Sequence, residues 1–309
     1  MSSHDDDAPA KDALRIAIII PSYNRPDQIR DCVQTLNEID GAPYPIIVVD
    51  DGSDTHLDTV LAQSGDHVSV IRQANAGPAA ARNTGARAAE GAELLCFIDD
   101  DCRPRPDWIT RLVAAQGRAK GRLVGGRIEN ALPRNVFSSA SQSLSSYLYD
   151  YYQSTGSEMT FFTTNNMCCR REDFLALGGF DTGFLFASED RDLSLRWADA
   201  GGELHYAEDA VVDHGHDLTL TSFFRQHASY GRGAHALHRR MTRRGDPRPK
   251  IEPVGFYAGM LTYPMRKRLY GSLRQSVLIG LSQVAMVSGY AMARRDARRA
   301  MRSGHRAQA

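Results

Sequence analysis

The chain has 309 residues, 42% of them apolar and 24% charged, with 37 Lys and Arg balancing 37 Asp and Glu. Such a length and composition suit one large globular domain, or one domain with an appendage, and argue against a disordered or fibrous chain. The five cysteines, Cys32, Cys96, Cys102, Cys168 and Cys169, form no CxxC pair. They argue against a disulfide framework or a zinc module and suit a reducing compartment.

The charge is unevenly spread. From Arg225 onward 18 Lys and Arg stand against 3 Asp and Glu, so this part carries +15 and the remainder −15. A basic tail behind an acidic body points to an anionic partner surface, or to a tail that neutralises its own body. Residues 1–13 are acidic and polar and read as a disordered tail. They lack the basic and apolar regions of a signal peptide.

Order begins at Leu14–Ile20, a near-continuous apolar run of the kind buried on both faces of a parallel sheet. Pro21–Pro26 breaks it. A helix follows over Asp27–Asn37, with Ile29, Cys32, Val33 and Leu36 on one face. A second strand, Tyr44–Val49, runs into Asp50 and Asp51. A third lies at Val68–Arg72, and Ala79–Glu90 is rich in helix formers. The fourth strand, from Leu94 to Ile98, runs into Asp99, Asp100 and Asp101. Four alternations of strand and helix predict an open, mostly parallel α/β sheet flanked by helices.

In such a sheet ligands bind beyond the C-terminal strand ends. Four loops therefore gather at one rim: Pro21–Pro26, Asp50–Asp54, Gln73–Pro78 and Asp99–Arg103. Three adjacent carboxylates repel one another unless a positive charge joins them. Two readings follow: a divalent cation such as Mg2+ or Mn2+ holding a phosphorylated ligand, or a solvated acidic turn. The second acidic loop on the rim, with Arg82 near a helix start, favours the first. No GxGxxG follows the first strand and no GxxxxGK[ST] occurs, which excludes a Rossmann dinucleotide site and a P-loop.

Beyond Arg105 the spacing predicts a helix over Asp107–Gly117, a strand over Arg122–Ile128 and a helix over Ser138–Tyr152. Phe161–Cys168 reads as a strand carrying Asn165 and Asn166, as turn residues or as ligand donors. Gly178–Asp181 is a turn signal. Ser188 reads as the N-cap of a helix with Glu189 and Asp190 in its first turn, where the dipole favours an ionised carboxylate. Val211–His216 ends as a strand on which His214 and His216 share a face, and one of them completes a metal site with Asp101 or is simply structural.

The last part differs in kind. Ser276–Ala293 is the most apolar stretch of the chain, bracketed by arginines on both sides. It is barely long enough to span a bilayer, and its symmetric flanks give no orientation. The favoured reading is an amphipathic or re-entrant helix on an anionic membrane face. The other is packing on the body of the protein or on a second copy, as a homo-oligomer. The basic residues lack interleaved aromatics, so no nucleic acid is expected as a partner.

Taken together, IIIPSYNRP (Ile18–Pro26), VVDDGSDT (Val48–Thr55), NAGPAAARNTGA (Asn75–Ala86), FIDDDC (Phe97–Cys102), GGFDTGF (Gly178–Phe184) and SEDRDLSLR (Ser188–Arg196) resemble the family 2 glycosyltransferases in type and order. The resemblance implies a GT-A fold over residues 14–220; it does not extend to 221–309, which composition marks as a helical, basic C-terminal region with a membrane face or a protein surface as its partner. It implies a nucleotide-sugar site made by Pro21, Tyr23, Arg25, Asp50, Asp51, Arg82, Asp99, Asp100 and Asn166. Tyr23 and Asp51 would meet the base, and Asp99 or Asp100 the ribose. Asp99 and Asp101 look like the DxD pair. Asp101, Asp99 and His214 are the implied ligands of Mn2+ or Mg2+, and Asp190, beside Glu189, is the implied catalytic base.

The implied reaction is an inverting transfer of one sugar from a nucleotide-diphosphate sugar to a carbohydrate, lipid-linked or other hydroxyl acceptor. The Gln-x-x-Arg-Trp motif of processive synthases is missing after Asp190, which points to single transfer. A cytoplasmic location at the inner face of the cell membrane is expected. Two competitors remain. A nucleotidyltransferase should carry a Gly-rich, Lys-containing loop where this chain has PSYNRP. A non-catalytic membrane-bound module should have lost its acidic residues, and none is lost.

Overall fold

The computed structural model describes residues 14–155, 159–246 and 252–306. The expected disordered tail, residues 1–13, lies outside the described residues.

Strand β1 (Ile16–Ser22) is buried along almost all its length because helices cover both of its faces. Alternation assigns Ile18 and Ile20 to one core, shared with Ile29, Val33 and Leu36 of helix α1 (Pro26–Asn37). Ile19 enters the other core, beside Val49 and Ala86. The chain then forms β2 (Ile46–Asp50), the single turn α2 (Leu57–Val60) and the edge strand β3 (Val68–Arg72). Helix α3 (Pro78–Ala88) returns it across the sheet to β4 (Leu94–Phe97), which pairs with the other side of β1.

These four strands are mutually parallel, as their apolar runs imply. The chain leaves β1 for β2 and β3 on one side and resumes at β4 on the other, and this change of direction opens a crevice at the strand ends. Element limits differ from the sequence expectations by one to three residues, except for Val68–Arg72, which is met in full.

The second half is mixed. After β5 (Cys102–Pro104), α4 (Trp108–Gln116), β6 (Arg122–Asn130) and α5 (Val136–Thr155) comes β7 (Met167–Arg170), which slots antiparallel between β4 and β6. Helices α6 (Arg171–Ala176) and α7 (Glu189–Asp199) lead to β8 (Glu203–His214), parallel to β6 and antiparallel to β5. The full order is β3-β2-β1-β4-β7-β6-β8-β5.

Two expectations are corrected. Phe161–Cys168 is not one strand, for a 3-10 turn at Thr164–Asn166 precedes β7. The Asn166 amide donates to the carbonyls of Arg127 and Ala210, each at 2.9 Å, so the chain turns there to seat a side chain instead of joining the ladder. The strand-like run expected to end through His216 begins at Glu203 and stops at His214, two residues short.

Helices α8 (Leu220–Arg244), α9 (Val254–Arg266) and α10 (Ser272–Arg306) form the C-terminal region. Thr219 and Ser222 close a capping box at the start of α8. A third apolar cluster joins these helices to α5 through Tyr147, Phe223, Phe256, Met260, Tyr263 and Ile279. Where α8 crosses α10, a Cβ on Gly231 would collide with the Met286 backbone and one on Gly289 with that of Ala228. Only glycine allows so close a crossing. Helix α10 is long and apolar enough to cross a membrane. Here one side of it packs on α5, α8 and α9, while Leu273, Val277, Val284 and Val287 on the other side are exposed.

Candidate active site

The four loops expected at one rim do meet there, around a partly open cavity of about 860 Å3 to which the C-terminal helices add a wall. Pro21, Tyr23, Arg25, Asp51, Arg82, Asp99, Asp100 and Asp101 all line it, as do Glu189, Asp190 and His214. Tyr23 stands half exposed at its wall.

Within the acidic triplet each carboxylate has a different partner. Asp99 accepts from Arg82 Nη2 at 2.5 Å. Asp100 accepts from Ser22 Oγ at 2.7 Å and from Arg25 Nη1 at 3.0 Å. Asp101 accepts from the same Arg25 nitrogen at 3.0 Å and lies 3.3 Å from His214 Nε2. The pKa values diverge accordingly. Burial pushes Asp100 up to about 6, with Arg25 and Ser22 opposing. Burial acts on Asp101 too, but the His214 hydrogen bond and the charges of His214 and Arg25 hold it far below the usual carboxylate range. His214 is raised: burial opposes its charge, and Asp101 overcomes that. His216, whose ring lies 5.0 Å from that of His214, is lowered to about 4 by burial and by its neighbour's charge.

Arg82 is buried on α3 and ties two distant segments together. Its Nη2 holds Asp99 and its Nη1 reaches Glu189 Oε1 at 3.3 Å. Asp190 follows Glu189 on α7. Burial, then the Glu189 charge, push its pKa up to about 7, against Arg191 and Arg82. The helix start is expected to favour the ionised carboxylate; here desolvation and a like charge outweigh that preference. Ser188 does occupy the N-cap position, but no side-chain cap bond forms, and its φ of 81° is left-handed. That conformation costs a non-glycine residue about 1 kcal/mol or more.

Three sequence expectations for the donor site are corrected. Asp50 does not line the cavity. Its buried carboxylate accepts from Arg72 Nη1 at 2.6 Å and from the Ser53 N–H at 2.8 Å. Burial works against its charge and these partners prevail, so its pKa is lowered. Asn166 is likewise saturated, its Oδ1 accepting from Trp108 Nε1 at 2.9 Å. It is the neighbouring Asn165 that reaches the cavity, with a buried Oδ1 that has no partner among the described residues. Asp99 is held by Arg82 and stands outside the one group of potential metal-binding atoms found among the described residues, which joins Asp101, Cys102 and His214 within 4.8 Å. Asp51 does line the cavity, but its carboxylate braces the loop opposite by accepting from Gln73 Nε2 and the N–H groups of Ala76 and Gly77.

Burial drives the Cys102 thiol well above its ordinary pKa, and a soft sulfur is not the ligand that oxygen-seeking ions such as Mg2+ and Mn2+ select. One carboxylate and one imidazole remain. This pair fits Mn2+ or Mg2+, ions that take few protein ligands and complete their shell with phosphate oxygens and water. Ser22, His216, Gln226 and Tyr230 also line the cavity. The one signal for Ser22 is its place at the end of the first strand; for Gln226 and Tyr230 it is their i, i+4 spacing on α8.

Comparison with known proteins bears on the family and the fold. The glycosyltransferase AglE of Haloferax volcanii is 29% identical over 208 residues, 64% of this chain and 66% of that protein. The pre-mycofactocin glycosyltransferase of Mycobacterium tuberculosis is 29% identical over 228 residues, 72% of this chain and 47% of that protein. The matched region thus spans less than two thirds of either relative. The mannosyltransferase PcManGT from Pyrobaculum calidifontis, solved with GDP-Man and Mn2+, superposes with a TM-score of 0.58 over 98% of this chain and 85% of that one at 16% identity, a likeness of fold. Residues 17–178 match Glycosyl transferase family 2, and with just over half of its length so matched the chain belongs to that family, in the GT-A fold.

Proposed function

We propose that the chain is a metal-dependent, inverting glycosyltransferase that moves a single sugar from a nucleotide-diphosphate sugar to an acceptor hydroxyl. One observation carries this reading: the Asp101–His214 pair and Asp190 line the same cavity. Its volume, about 860 Å3, suits a sugar nucleotide with room for an acceptor.

Asp101 and His214 would hold Mn2+ or Mg2+, which when bound neutralises the charge of the departing diphosphate. PcManGT, of like fold, was solved with Mn2+ and GDP-Man, which supports this choice. Tyr23 offers an aromatic face to the base. Arg25, paired with Asp100 and Asp101, is a cation within reach of the same diphosphate. Asp190, with its pKa near neutrality, accepts the proton of the acceptor hydroxyl as that oxygen attacks the anomeric carbon. One displacement assisted by one base inverts the configuration. Arg82 keeps Glu189, and so the start of α7, fixed to the triplet.

The reading includes a cytoplasmic location at the inner face of the membrane, supported by the exposed apolar side of α10 and the arginines flanking it. A thermal-shift screen of sugar nucleotides with and without Mn2+ tests the whole. One donor should raise Tm only with the metal, and that metal-dependent part should vanish in Asp101→Asn. A nucleoside triphosphate that outperforms every sugar nucleotide would overturn the reading in favour of nucleotidyl transfer.

A further inference from the structure

We infer that the cavity wall formed by α5, α9 and α10 is a subsite for the hydrocarbon chain of a lipid-borne hydroxyl acceptor. This rests on the transfer reaction proposed above and names its acceptor class.

The cavity has two unlike sets of walls. The strand ends contribute charged groups. The helices contribute Leu144 and Leu148 from α5, Phe256 and Met260 from α9, and Met286 from α10, interspersed with Ser138, Ser141, Gln142 and Ser145 of α5 and Gln283 of α10. The α9 part of the wall, Phe256 and Met260, offers a free sugar no hydrogen-bonding side chain. Leucine and methionine side chains suit a flexible chain, since the unbranched thioethers adapt their shape to it. Polar capacity for a headgroup is present elsewhere in the same cavity. Asn165 is more than nine-tenths buried and its Oδ1 has no partner among the described residues; Gln226 is partly exposed, but its Oε1 atom is buried and likewise without a partner there. Each can accept from a hydroxyl.

The outer faces of the same two helices point the same way. On α9 Val254 is 85% exposed, and on α10 Leu273 and Val287 are 69% and 70% exposed. A helix apolar on the protein side and on the far side meets something other than water on the far side. Arg266 and Arg268 stand at the end of α9, and Arg274, Arg294 and Arg295 lie along α10. Their charge complements an anionic leaflet. An acceptor held in that leaflet has its chain beside the helices whose inner faces line the cavity.

The test uses the full chain with its donor and Mn2+. A photoreactive octyl glucoside with a diazirine on the tail is crosslinked and mapped by mass spectrometry, with glucose, methyl glucoside and alkyl glucosides of rising length as competitors. Label should appear on peptides carrying Leu148, Met260 and Met286. Competition should strengthen about threefold to fourfold per added methylene. Met260→Trp and, independently, Leu148→Trp should weaken the octyl competitor at least tenfold while leaving the donor-induced Tm shift unchanged. Label confined to the outer face around Val277 and Val284 would overturn the inference, as would equal competition by glucose and octyl glucoside. Loss of the donor shift in the unmodified protein would instead sink the transfer reaction, so the two failures are distinct.

Discussion

Replacing Asp190 by Asn removes the proposed base at almost constant volume. Two consequences can be worked from its surroundings. A base with a pKa of about 7 is about one-tenth ionised at pH 6 and about nine-tenths ionised at pH 8, so wild-type turnover should rise roughly tenfold between them. In Asp190→Asn turnover should fall by about 10²- to 10⁴-fold, and the residue should lose that slope. The second consequence is on stability. A carboxyl moved from 3.8 to about 7 on folding disfavours the charged form by on the order of 4 kcal/mol. Its side chain borders an open cavity, which reduces this to roughly 2 kcal/mol. Because the folded pKa lies above the unfolded one, the native state binds the extra proton, and stability declines as pH rises from about 4 through about 7. Asn carries no charge to lose. The variant should therefore melt higher than wild type at pH 8 and alike at pH 4. Initial-rate assays across pH, with melts in the same buffers, check both. A variant with wild-type turnover, or one less stable at pH 8 than at pH 4 by the wild-type margin, would refute the reasoning.

Other expectations follow from the same geometry. Arg82→Ala strands Asp99 and Glu189 without their shared cation and should cost about 3–5 kcal/mol in urea unfolding, with Arg82→Lys intermediate because one ammonium cannot fork between both. Asp101→Asn should lower Mn2+ affinity by about tenfold or more in calorimetry, whereas Asp50→Asn should leave it unchanged, since Asp50 serves Arg72 and Ser53. Gly231→Val drives a side chain into the α10 backbone. It should destabilise by about 1–3 kcal/mol and expose α10 to limited proteolysis.

Much of the site was legible in the sequence because it is built locally. A strand buried on both faces must be apolar, so its polar ending at Asp50 or Asp99 marks the rim without any tertiary knowledge. The short periodicities of α1 and β3 are likewise local. Pairing across long separations was not legible. Nothing in Met167–Arg170 announces that it runs antiparallel between β4 and β6. Whether Asn165 or Asn166 faces the cavity depends on Trp108, Arg127 and Ala210, three residues remote in the chain. Asp50 and Asp51 look equivalent as letters, and only the position of Arg72 on the neighbouring strand makes the first a purely internal brace. The pKa of Asp190 depends on how deeply α7 is packed, which no first-turn rule contains.

The bridges that complete the site also set a timetable for its appearance. Arg82 and Glu189 are 107 positions apart, and His214 comes 113 positions after Asp101. Among the described residues, strand β5, directly after the triplet, has β8 as its only neighbour in the sheet. During synthesis, at about 5–20 residues per second, the acidic triplet waits on the order of ten seconds before its imidazole partner exists. Until then Arg25 and Arg82 are the nearby cations from the completed part of the chain. A product truncated just before Glu189 would hold the residues of seven of the eight described strands and still lack both the proposed base and the imidazole. The proposed site is thus complete only once β8 and His214 have been made, and the onset of donor binding in a timed translation experiment would report closure of the sheet.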